Sequence, residues 1–378
     1  MRYIKLYLAF LFTLILPYLT DLMGYRVITP VLAYSWIMSI YALSFALLLG
    51  QLGLLSFGHA FFLGFGAYIT VYGLIWLGLP YSVAIIISIL AGALLGLIMA
   101  IIVSRAFEGI PFAFITLTVQ LIVYFLYRKK ELAWLSGGEQ GLVAYIPPSL
   151  KSVWLGIGVF SLIAIVSLII IAISIADYKR KKLSIKEFMA NLVLIPIFLF
   201  LMYEWVIELA NKPPAFRAMP SLHMISLIIL VGVYLFLDRL IKSPLGTIWR
   251  AIRDNEIRAS TIGYNPFKYK TMALIISGAI AALAGALNVP YALNINPDRV
   301  FSPMVSVYAL MYAIIGGVYP LLGPILGSLL VVGLEILLTP YVGGYSLIIV
   351  GTIFVIVMIA SPEGIIGIIQ RFKYKTKK

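Results

Sequence analysis

The chain has 378 residues and a net charge of +14, with 63% hydrophobic and only 11% charged residues. Soluble domains have about 45–50% hydrophobic and about 25% charged residues. A single hydrophobic core stops growing near about 250–300 residues, so this composition excludes a water-soluble globule and requires the bilayer as a second solvent. The absence of Cys excludes disulfides, thiolate metal sites and nucleophilic Cys chemistry, and two His leave little for a histidine-rich metal centre.

Twelve apolar runs follow one another along the chain, bounded by charged residues or by Gly and Pro. A helix needs about 20 mostly apolar residues to cross about 30 Å of hydrocarbon. The runs lie at approximately 4–20, 27–49, 54–76, 81–103, 112–127, 152–176, 190–207, 221–241, 271–289, 304–318, 323–338 and 346–360. Short runs such as the pair within 304–338 either cross the membrane or enter it and return. We predict an all-α polytopic helix bundle of about 10–12 spans, forming one transmembrane domain over 1–378.

Lys and Arg are distributed unevenly along this bundle. With the N-terminus inside, 20 of the 28 fall in inner segments, above all 179–186, 238–270 and 371–378, and 8 fall in outer segments. Because cytoplasmic loops hold the excess of positive residues, both termini are predicted to be cytoplasmic. The positive charge then reflects topology, so no nucleic-acid partner is predicted. No small-x-small cleavage pattern follows the first run, which we expect to remain as an anchor.

Small residues recur four positions apart in three of the runs. The pairs are Gly92 with Gly96, Ala281 with Gly285, and Gly323 with Gly327. Helix contacts in lipid depend on close approach through small residues, so these pairs predict packing seams in the bundle.

The first polar cluster at membrane depth is the Gly-rich stretch 50–68, which contains Ser56 and His59. Polar residues at this depth are costly and are the default place to look for a transport route. His59 either lines such a route or hydrogen-bonds a neighbouring helix, and the sequence leaves both readings open.

The second cluster is Thr116, Thr118 and Gln120. Thr116 and Gln120 are four residues apart and share a helix face, whereas Thr118 points elsewhere and is expected to bond back to its own helix. The third cluster, 136–142, contains Glu139 and Gln140 among three Gly and is predicted to lie outside. It lacks the Lys and the strand-to-helix setting of a phosphate-binding loop, so it is either a plain turn or the mouth of a route.

The predicted cytoplasmic segment 238–270 combines basic residues with regularly spaced Ile. Pro244 suits a helix start and Gly263 a helix end, which predicts one short amphipathic helix. Its apolar stripe would consist of Ile248, Ile252, Ile257 and Ile262. Such a helix either lies on lipid headgroups or docks a partner.

Five ordered motifs resemble the LivM-type permeases of branched-chain amino acid ABC transporters. The first is the stretch 50–68 with its core Gly-Leu-Leu-Ser-Phe-Gly-His-Ala. The others are 105–120, 137–142, 243–263, and the C-terminal patterns at 315–327 and 361–367. Two features depart from the family. Extra residues between about 150 and 220 would form an inserted pair of spans, and Arg258 stands where the family more often has Ala.

The resemblance implies the membrane permease of an ABC importer, which carries branched-chain amino acids or a similar small solute through the cell membrane. Its partners would be a sister permease in a heterodimer, two cytoplasmic ATP-binding subunits and an extracytoplasmic substrate-binding protein. The chain contains no GxxxxGK[ST] motif, so it would not hydrolyse ATP itself. No catalytic residue, cofactor or metal is predicted.

The resemblance also assigns candidate residues to two roles. The route candidates are Ser56, His59, Thr116, Gln120, Glu139 and Gln140. The candidates for coupling to the ATPases, within the loop 238–270, are Pro244, Gly246, Arg250, Arg253, Glu256 and Gly263.

Three alternatives remain at this stage. Relatives within the family carry urea, short amides or other small solutes. An ion-coupled secondary transporter is more remote, because Glu204, Glu208 and Glu335 fall near the ends of their predicted spans rather than at the midplane. A membrane-embedded enzyme would need paired carboxylates, clustered metal ligands or a Ser/His/Asp set, which the runs do not offer.

Overall fold

The computed structural model describes residues 2–25, 27–104, 109–179, 185–361 and 364–367, and it is almost entirely helical. The helices are α1 (Arg2–Leu22), α2 (Ile28–Leu52), α3 (Ala60–Ile75), α4 (Tyr81–Ile102), α5 (Gly109–Arg128), α6 (Ala133–Ser136), α7 (Pro148–Lys151), α8 (Val153–Lys179), α9 (Ile185–Asn211), α10 (Pro214–Lys242), α11 (Pro244–Asp254), α12 (Glu256–Thr261), α13 (Pro266–Ala292), α14 (Pro297–Val300), α15 (Pro303–Gly316), α16 (Leu322–Val342) and α17 (Ser346–Ala360). Two short strands, β1 (Leu142–Val143) and β2 (Asn294–Ile295), pair antiparallel.

Each of the twelve apolar runs overlaps one helix, although residues 54–59 of the run 54–76 precede α3 and are not helical. In the described ranges, nine helical stretches are long and apolar enough to cross a membrane, the last of them covering both α16 and α17. Two shorter apolar helices accompany them, Phe10–Leu22 and Ala60–Ile75. The predicted all-α polytopic bundle is therefore confirmed, whereas the cytoplasmic placement of both termini stays a prediction.

Some sequence predictions fall outside the described residues. Arg105, at the start of the second motif, lies outside them, as do residues 180–184 of the basic loop. So do Pro362 and Glu363 of the last motif, and the basic residues at 371–378.

The chain divides into two compact units. The first comprises Met1–Ala33 and Ile146–Leu227, and the second comprises Tyr34–Tyr145 and Ile228–Lys378. In the first unit α8 packs against α9 and α9 against α1, and Lys212 pairs with Glu208 at 2.8 Å and with Asp21 at 3.6 Å. The span pair predicted as an insertion at 150–220 belongs to this unit, and its origin as an insertion remains a prediction.

In the second unit α13 packs against α3 and α4 through small residues. A Cβ added to Gly66 would lie 2.2 Å from the carbonyl oxygen of Ala282, and one added to Gly285 would lie 2.0 Å from that of Leu63. Only glycine permits backbones to approach so closely. A Cβ at Gly92 or Gly96 would also lie 2.5 Å from a carbonyl oxygen of α13. The packing role predicted for Gly92, Gly96 and Gly285 is confirmed.

A second seam joins α15 to α16. A Cβ on Gly327 would lie 2.0 Å from the carbonyl oxygen of Tyr312, and one on Gly323 would lie 1.8 Å from that of Gly317. The Gly323 and Gly327 pair therefore brings these two helices into backbone contact, as predicted.

Several helices of the second unit begin at residues that the sequence marks as starts. Pro occupies the first turn of α11, α13, α14 and α15, where its missing N–H costs nothing. The side chains of Asn255, Asn265 and Asn296 accept hydrogen bonds from backbone N–H groups of the first turns that follow them. These caps fix where the chain enters α12, α13 and α14, which carry the residues of the candidate sites.

Candidate functional site

The buried polar groups of the second unit form a connected set where α3, α5 and α15 meet. The Nε2 of Gln120 donates to the carbonyl oxygen of Phe301 at 2.9 Å, and its Oε1 accepts from the Ser306 hydroxyl at 2.7 Å. Ser306 in turn accepts from the backbone N–H of Ala60, the first residue of α3, at 2.8 Å. We call this set, together with Ser44 and His59, the polar junction.

His59 is fully buried beside this set, just before α3. Its Nε2 lies 2.7 Å from the hydroxyl of Ser44 on α2, and that hydroxyl already donates to the Tyr41 carbonyl at 2.6 Å. Because Ser44 has one proton, the histidine is assigned as the Nε2–H donor, which leaves the Nδ1 lone pair without a partner in the described structure. The rings of Tyr41, Phe45 and Phe62 surround it. His59 does bond a neighbouring helix, and its role in a route stays a prediction.

Thr116 and Thr118 behave differently on α5. Thr116 and Gln120 are buried on one face, whereas Thr118 is exposed and donates to the Phe114 carbonyl at 2.8 Å. The back-bonding predicted for Thr118 is confirmed. The buried face is packed tightly, because a Cβ on Gly58 would lie 2.0 Å from the Thr116 carbonyl oxygen. Ser56 is also buried, and its hydroxyl has no partner among the described residues.

The Gly-rich loop 136–142 forms a charged surface. Gly137 and Gly141 have positive φ, and a Cβ on Gly137 would lie 2.1 Å from the Gly141 carbonyl, so the tight turn depends on glycine. Arg128 bridges two acids, with Nη2 at 2.8 Å from Glu139 and Nη1 at 3.3 Å from Asp298. Gln140 is exposed. Arg128 therefore links the loop, through Glu139, to α14, through Asp298.

A cavity of about 190 Å³ opens beside the polar junction, on the side of α14. It is lined by Tyr34, Met38, Leu63, Asn288, Asp298, Arg299, Met304, Val305, Tyr308 and Tyr312. Asn288 is only 5% exposed, and its Oδ1 has no hydrogen-bond partner in the described structure. We call this space the Asn288 cavity.

The sequence analysis missed the Asn288 cavity. None of the six route candidates lines it, although Leu63 and Val305 are close in sequence to His59 and Ser306. Asn288 is a single amide near the end of the mainly apolar run 271–289, and Asp298 with Arg299 is an adjacent pair of opposite charges in a predicted outer turn. Both signals were present in the chain, and only the fold brings them together.

The 244–263 segment, defined as α11 and α12 with their connecting residues, differs from the predicted single helix. Asn255 is extended, with φ −163° and ψ 104°, and it divides the segment into two helices. The predicted apolar stripe is wrong in its second half. Ile252 and Trp249 are buried, whereas Ile257 and Ile262 are 76% and 71% exposed, because the break at Asn255 turns α12 out of the register of α11.

The 244–263 segment is anchored to two long helices by side chains that the sequence singled out. Arg253 Nη1 donates to the carbonyl oxygen of Gly50 at 2.7 Å, near the C-terminus of α2. The last carbonyls of a helix lack intrahelical partners and carry partial negative charge, which favours a cation there. Glu256 forms an ion pair with Lys270 of α13, whose side chain is only 3% exposed.

A tryptophan and the connection between α15 and α16 complete this anchor. Trp249 Nε1 donates to the Tyr269 carbonyl at 2.9 Å. The Tyr319 ring packs closely against Gly50, because a Cβ added to Gly50 would lie 3.1 Å from it. Burial raises the pKa of Tyr319 to about 12, against the opposing effect of Arg253 and Arg250, so the phenol is neutral at physiological pH.

The other coupling candidates occupy structural positions along the segment. Pro244 is the first residue of α11, and a Cβ on Gly246 would lie 2.1 Å from the Ile241 carbonyl, so the turn into α11 requires glycine. Gly263 follows α12 with φ +100°. Arg250 is exposed and lies 3.4 Å from the Thr247 hydroxyl, so it points away from the buried side of α11.

This architecture defines a multi-pass membrane protein, with a buried polar junction, a small cavity and a two-helix segment tied to the ends of two long helices. The family model for the branched-chain amino acid transport system permease component matches residues 27–358. The chain belongs to this family of permease components, which are not themselves catalytic.

Curated relatives of two kinds resemble parts of the chain. The high-affinity branched-chain amino acid transport system permease protein LivM of Escherichia coli is 30% identical over 145 residues, 38% of this chain and 34% of the relative. The probable LivM permease protein of Methanocaldococcus jannaschii is 32% identical over 109 residues, 29% of this chain and 32% of the relative. The probable LivH permease protein of the same organism is 31% identical over 150 residues, 38% of this chain and 46% of the relative. The alignments thus span less than half of each relative, and no solved structure matches the chain.

Proposed function

We propose that this chain is the membrane-spanning subunit of an importer that carries branched-chain amino acids and is driven by ATP hydrolysis on partner subunits. The observation that carries the proposal is the anchoring of the 244–263 segment to α2 and α13. A short helical segment that contacts both helices is placed to convert a push from outside the bundle into a change within it.

The link to α13 is an ion pair with a buried lysine. The Lys270 side chain is 3% exposed and that of Glu256 is 28% exposed, so the ion pair ties the segment to a fixed point on α13, and we expect the two residues to move together. Arg253 holds the segment to α2 in the same way through the Gly50 carbonyl. Arg253 and Glu256 therefore face the chain's own helices and would transmit movement rather than contact the ATPase directly.

The surface that would contact the ATPase is the outer side of α12. Ile257 and Ile262 are large apolar residues exposed to solvent, and Arg250 and Arg258 flank them with positive charge. An apolar centre with a polar rim is the usual anatomy of a protein interface.

The remaining partners follow from the family. Because the relatives are named as both LivM and LivH permease proteins, we propose a heterodimer with a sister permease. Two cytoplasmic ATP-binding subunits and an extracytoplasmic substrate-binding protein would complete the importer. The excess of Lys and Arg in the predicted inner segments supports a cytoplasmic 244–263 segment.

The orientation is testable by cysteine labelling, because the native chain contains no Cys. Ser260 and Ser149 are both exposed. Ser260 lies in the 244–263 segment, which is predicted to be inside, and Ser149 lies in α7, which is predicted to be outside. In intact cells, a membrane-impermeant maleimide should label Ser149→Cys and leave Ser260→Cys unlabelled until the membrane is opened. Labelling of Ser260→Cys in intact cells would overturn the proposed mechanism.

The docking surface is testable by substitution of one exposed isoleucine. Ile257→Asp should abolish copurification of the ATP-binding subunits with the tagged chain and should abolish ATP-dependent leucine uptake. Val143→Asp is the matched control, because Val143 is 74% exposed on β1, away from the segment. Equal recovery of ATP-binding subunits with both variants would contradict this surface.

The transmission step is testable by a charge exchange between Glu256 and Lys270. Glu256→Lys and Lys270→Glu should each lower uptake strongly while the ATP-binding subunits remain bound, and the double variant should recover part of the uptake. A double variant no better than the worse single variant would show that this pair does not couple the segment to α13.

A further inference from the structure

The Asn288 cavity contains an amide oxygen that the fold leaves unused. Asn288 is 5% exposed, and its Oδ1 meets no donor in the part of the chain that the structure describes. A buried polar atom without a partner costs free energy, and Asn288 is the one such residue that lines this cavity in the described structure, which points to a donor that the chain itself does not supply. The cavity of about 190 Å³ is the space into which such a donor would fit.

The mouth of the same cavity carries a guanidinium group. Arg299 lines the cavity, and among the described residues its side chain has one hydrogen bond, at 3.5 Å to the Ala292 carbonyl, and no ion pair. The neighbouring Arg128 is instead engaged by both Glu139 and Asp298. Since a guanidinium matches a carboxylate with two parallel hydrogen bonds, Arg299 is the available anion-binding group.

Asp298 adds a negative charge to the lining of the same cavity. Both of its hydrogen bonds in the described structure, from the Tyr124 hydroxyl at 2.6 Å and from Arg128 at 3.3 Å, use Oδ1. A cation in the cavity can therefore approach Oδ2 while Arg128 keeps the carboxylate in place. Oxygen acceptors and a guanidinium thus line one small space.

The rest of the lining is mainly apolar. Met38, Leu63, Met304 and Val305 come from α2, α3 and α15 and line the same cavity. Drug-sized ligands occupy pockets of about 300–1,000 Å³, so a cavity of this size suits a smaller solute with a short hydrocarbon side chain.

We propose that the Asn288 cavity binds one zwitterionic amino acid with an aliphatic side chain, its carboxylate on Arg299 and its ammonium on Asn288 and Asp298. This inference rests on the proposed function and adds the position and charge pattern of the solute site. Neutral solutes such as urea or short amides would gain little from the guanidinium and the carboxylate that line this cavity.

The test measures binding to the full chain in lipid nanodiscs with radiolabelled leucine and two competitors. Leucinol retains the ammonium and lacks the carboxylate, and 4-methylpentanoate retains the carboxylate and lacks the ammonium. Because a hydrogen bond to a charged group contributes about 1.5–3 kcal/mol, leucine should bind at least about tenfold more tightly than either analogue.

Two variants should each remove one half of this preference. In Arg299→Gln the advantage of leucine over leucinol should disappear, while its advantage over 4-methylpentanoate persists. In Asn288→Leu the advantage over 4-methylpentanoate should fall and that over leucinol should persist. Arg239→Gln, which changes an exposed arginine at the end of α10, should bind all three compounds as the native chain does.

A preference for leucine over leucinol that survives in Arg299→Gln would overturn the inference, as would the absence of saturable leucine binding to the native chain. If Arg299→Gln loses all three compounds through misfolding, Arg299→Lys decides, because it keeps the charge and should retain a preference over leucinol. The proposed function is judged separately by uptake in cells. ATP-dependent leucine uptake that is unchanged in Arg299→Gln would refute this site alone, whereas ATP-independent uptake by the native chain would refute the importer.

Discussion

The polar junction and the Asn288 cavity are neighbours in the second unit, but they differ in how their polar atoms are used. At the junction, Gln120 and Ser306 bond to one another and to the backbone, and the one junction atom without a partner in the described structure, His59 Nδ1, belongs to a residue that does not line the cavity. In the cavity, Asn288 Oδ1 has no partner within the described residues, and Arg299 has no ion pair there. A satisfied buried network gives rigidity, whereas unsatisfied groups around an open space indicate a ligand.

This contrast separates two meanings of polarity at membrane depth. The sequence marks both regions equally as costly. The bonds that each side chain makes determine whether the cost is offset inside the protein or only when a solute arrives. Substitutions should therefore affect stability at the junction and binding at the cavity.

The largest effect is expected at Gly58, where the junction permits no side chain. A Cβ would lie 2.0 Å from the Thr116 carbonyl oxygen, so Gly58→Ala must displace backbone. We expect a loss of more than about 4 kcal/mol and no monodisperse protein in size-exclusion chromatography. Gly232→Ala is the control, because a Cβ there meets nothing within 4 Å and alanine favours the helix. A Gly58→Ala variant as stable as this control would break the comparison.

The next effect is expected at Gln120. Gln120→Leu leaves the Ser306 hydroxyl proton without its acceptor and the Phe301 carbonyl without this donor, each at about 1–3 kcal/mol. Thermal unfolding in detergent should report a total loss of about 2–6 kcal/mol, with leucine binding unchanged in the fraction that remains folded. Normal stability with reduced uptake would instead assign Gln120 to the route, as its position in the sequence suggests.

A smaller change in stability is expected at Asn288. Asn288→Leu removes a buried oxygen that has no partner in the described structure, so the free energy of unfolding should stay within about 1 kcal/mol of the native value or rise. The same variant should weaken leucine binding. A large loss of stability would mean that Asn288 belongs functionally with the junction.

The smallest effect is expected at Thr118, which lies two residues from Gln120 and on the opposite face of α5. Its hydroxyl donates only to the Phe114 carbonyl of its own helix, and the residue is exposed. Thr118→Val should change the free energy of unfolding by no more than about 0.5 kcal/mol, measured by thermal unfolding, and leucine should bind normally. A shift comparable to that of Gln120→Leu would show that position on α5, rather than bonding, determines the effect.

Much of the fold was predictable because bilayer thickness limits the length of each apolar run. Every predicted run overlaps a helix, and the small-residue pairs at Gly92 and Gly323 pack as expected. The 244–263 segment was only partly predictable. Its helix start at Pro244 and end at Gly263 agree with the structure, but Asn255 caps a second helix instead of continuing the first. A capping asparagine and a helical asparagine look alike until the backbone angle is known.

The candidate sites divide along the same line. Gln120 and His59 were identified because polar residues are rare in apolar runs, yet their partners Ser306 and Ser44 lie far along the chain or on another helix. The Asn288 cavity was missed because its lining comes from five helices, none of which carries a recognisable motif there.

Composition and periodicity alone determined that this chain is a helical membrane protein, since apolar length and charge placement act locally along the sequence. The motifs added the resemblance to a permease family. Only the tertiary structure decided which polar atoms are satisfied, because hydrogen-bond partners and cavity walls are assembled from helices distant in sequence. The division between a rigid junction and an open cavity is therefore a property of the packed bundle.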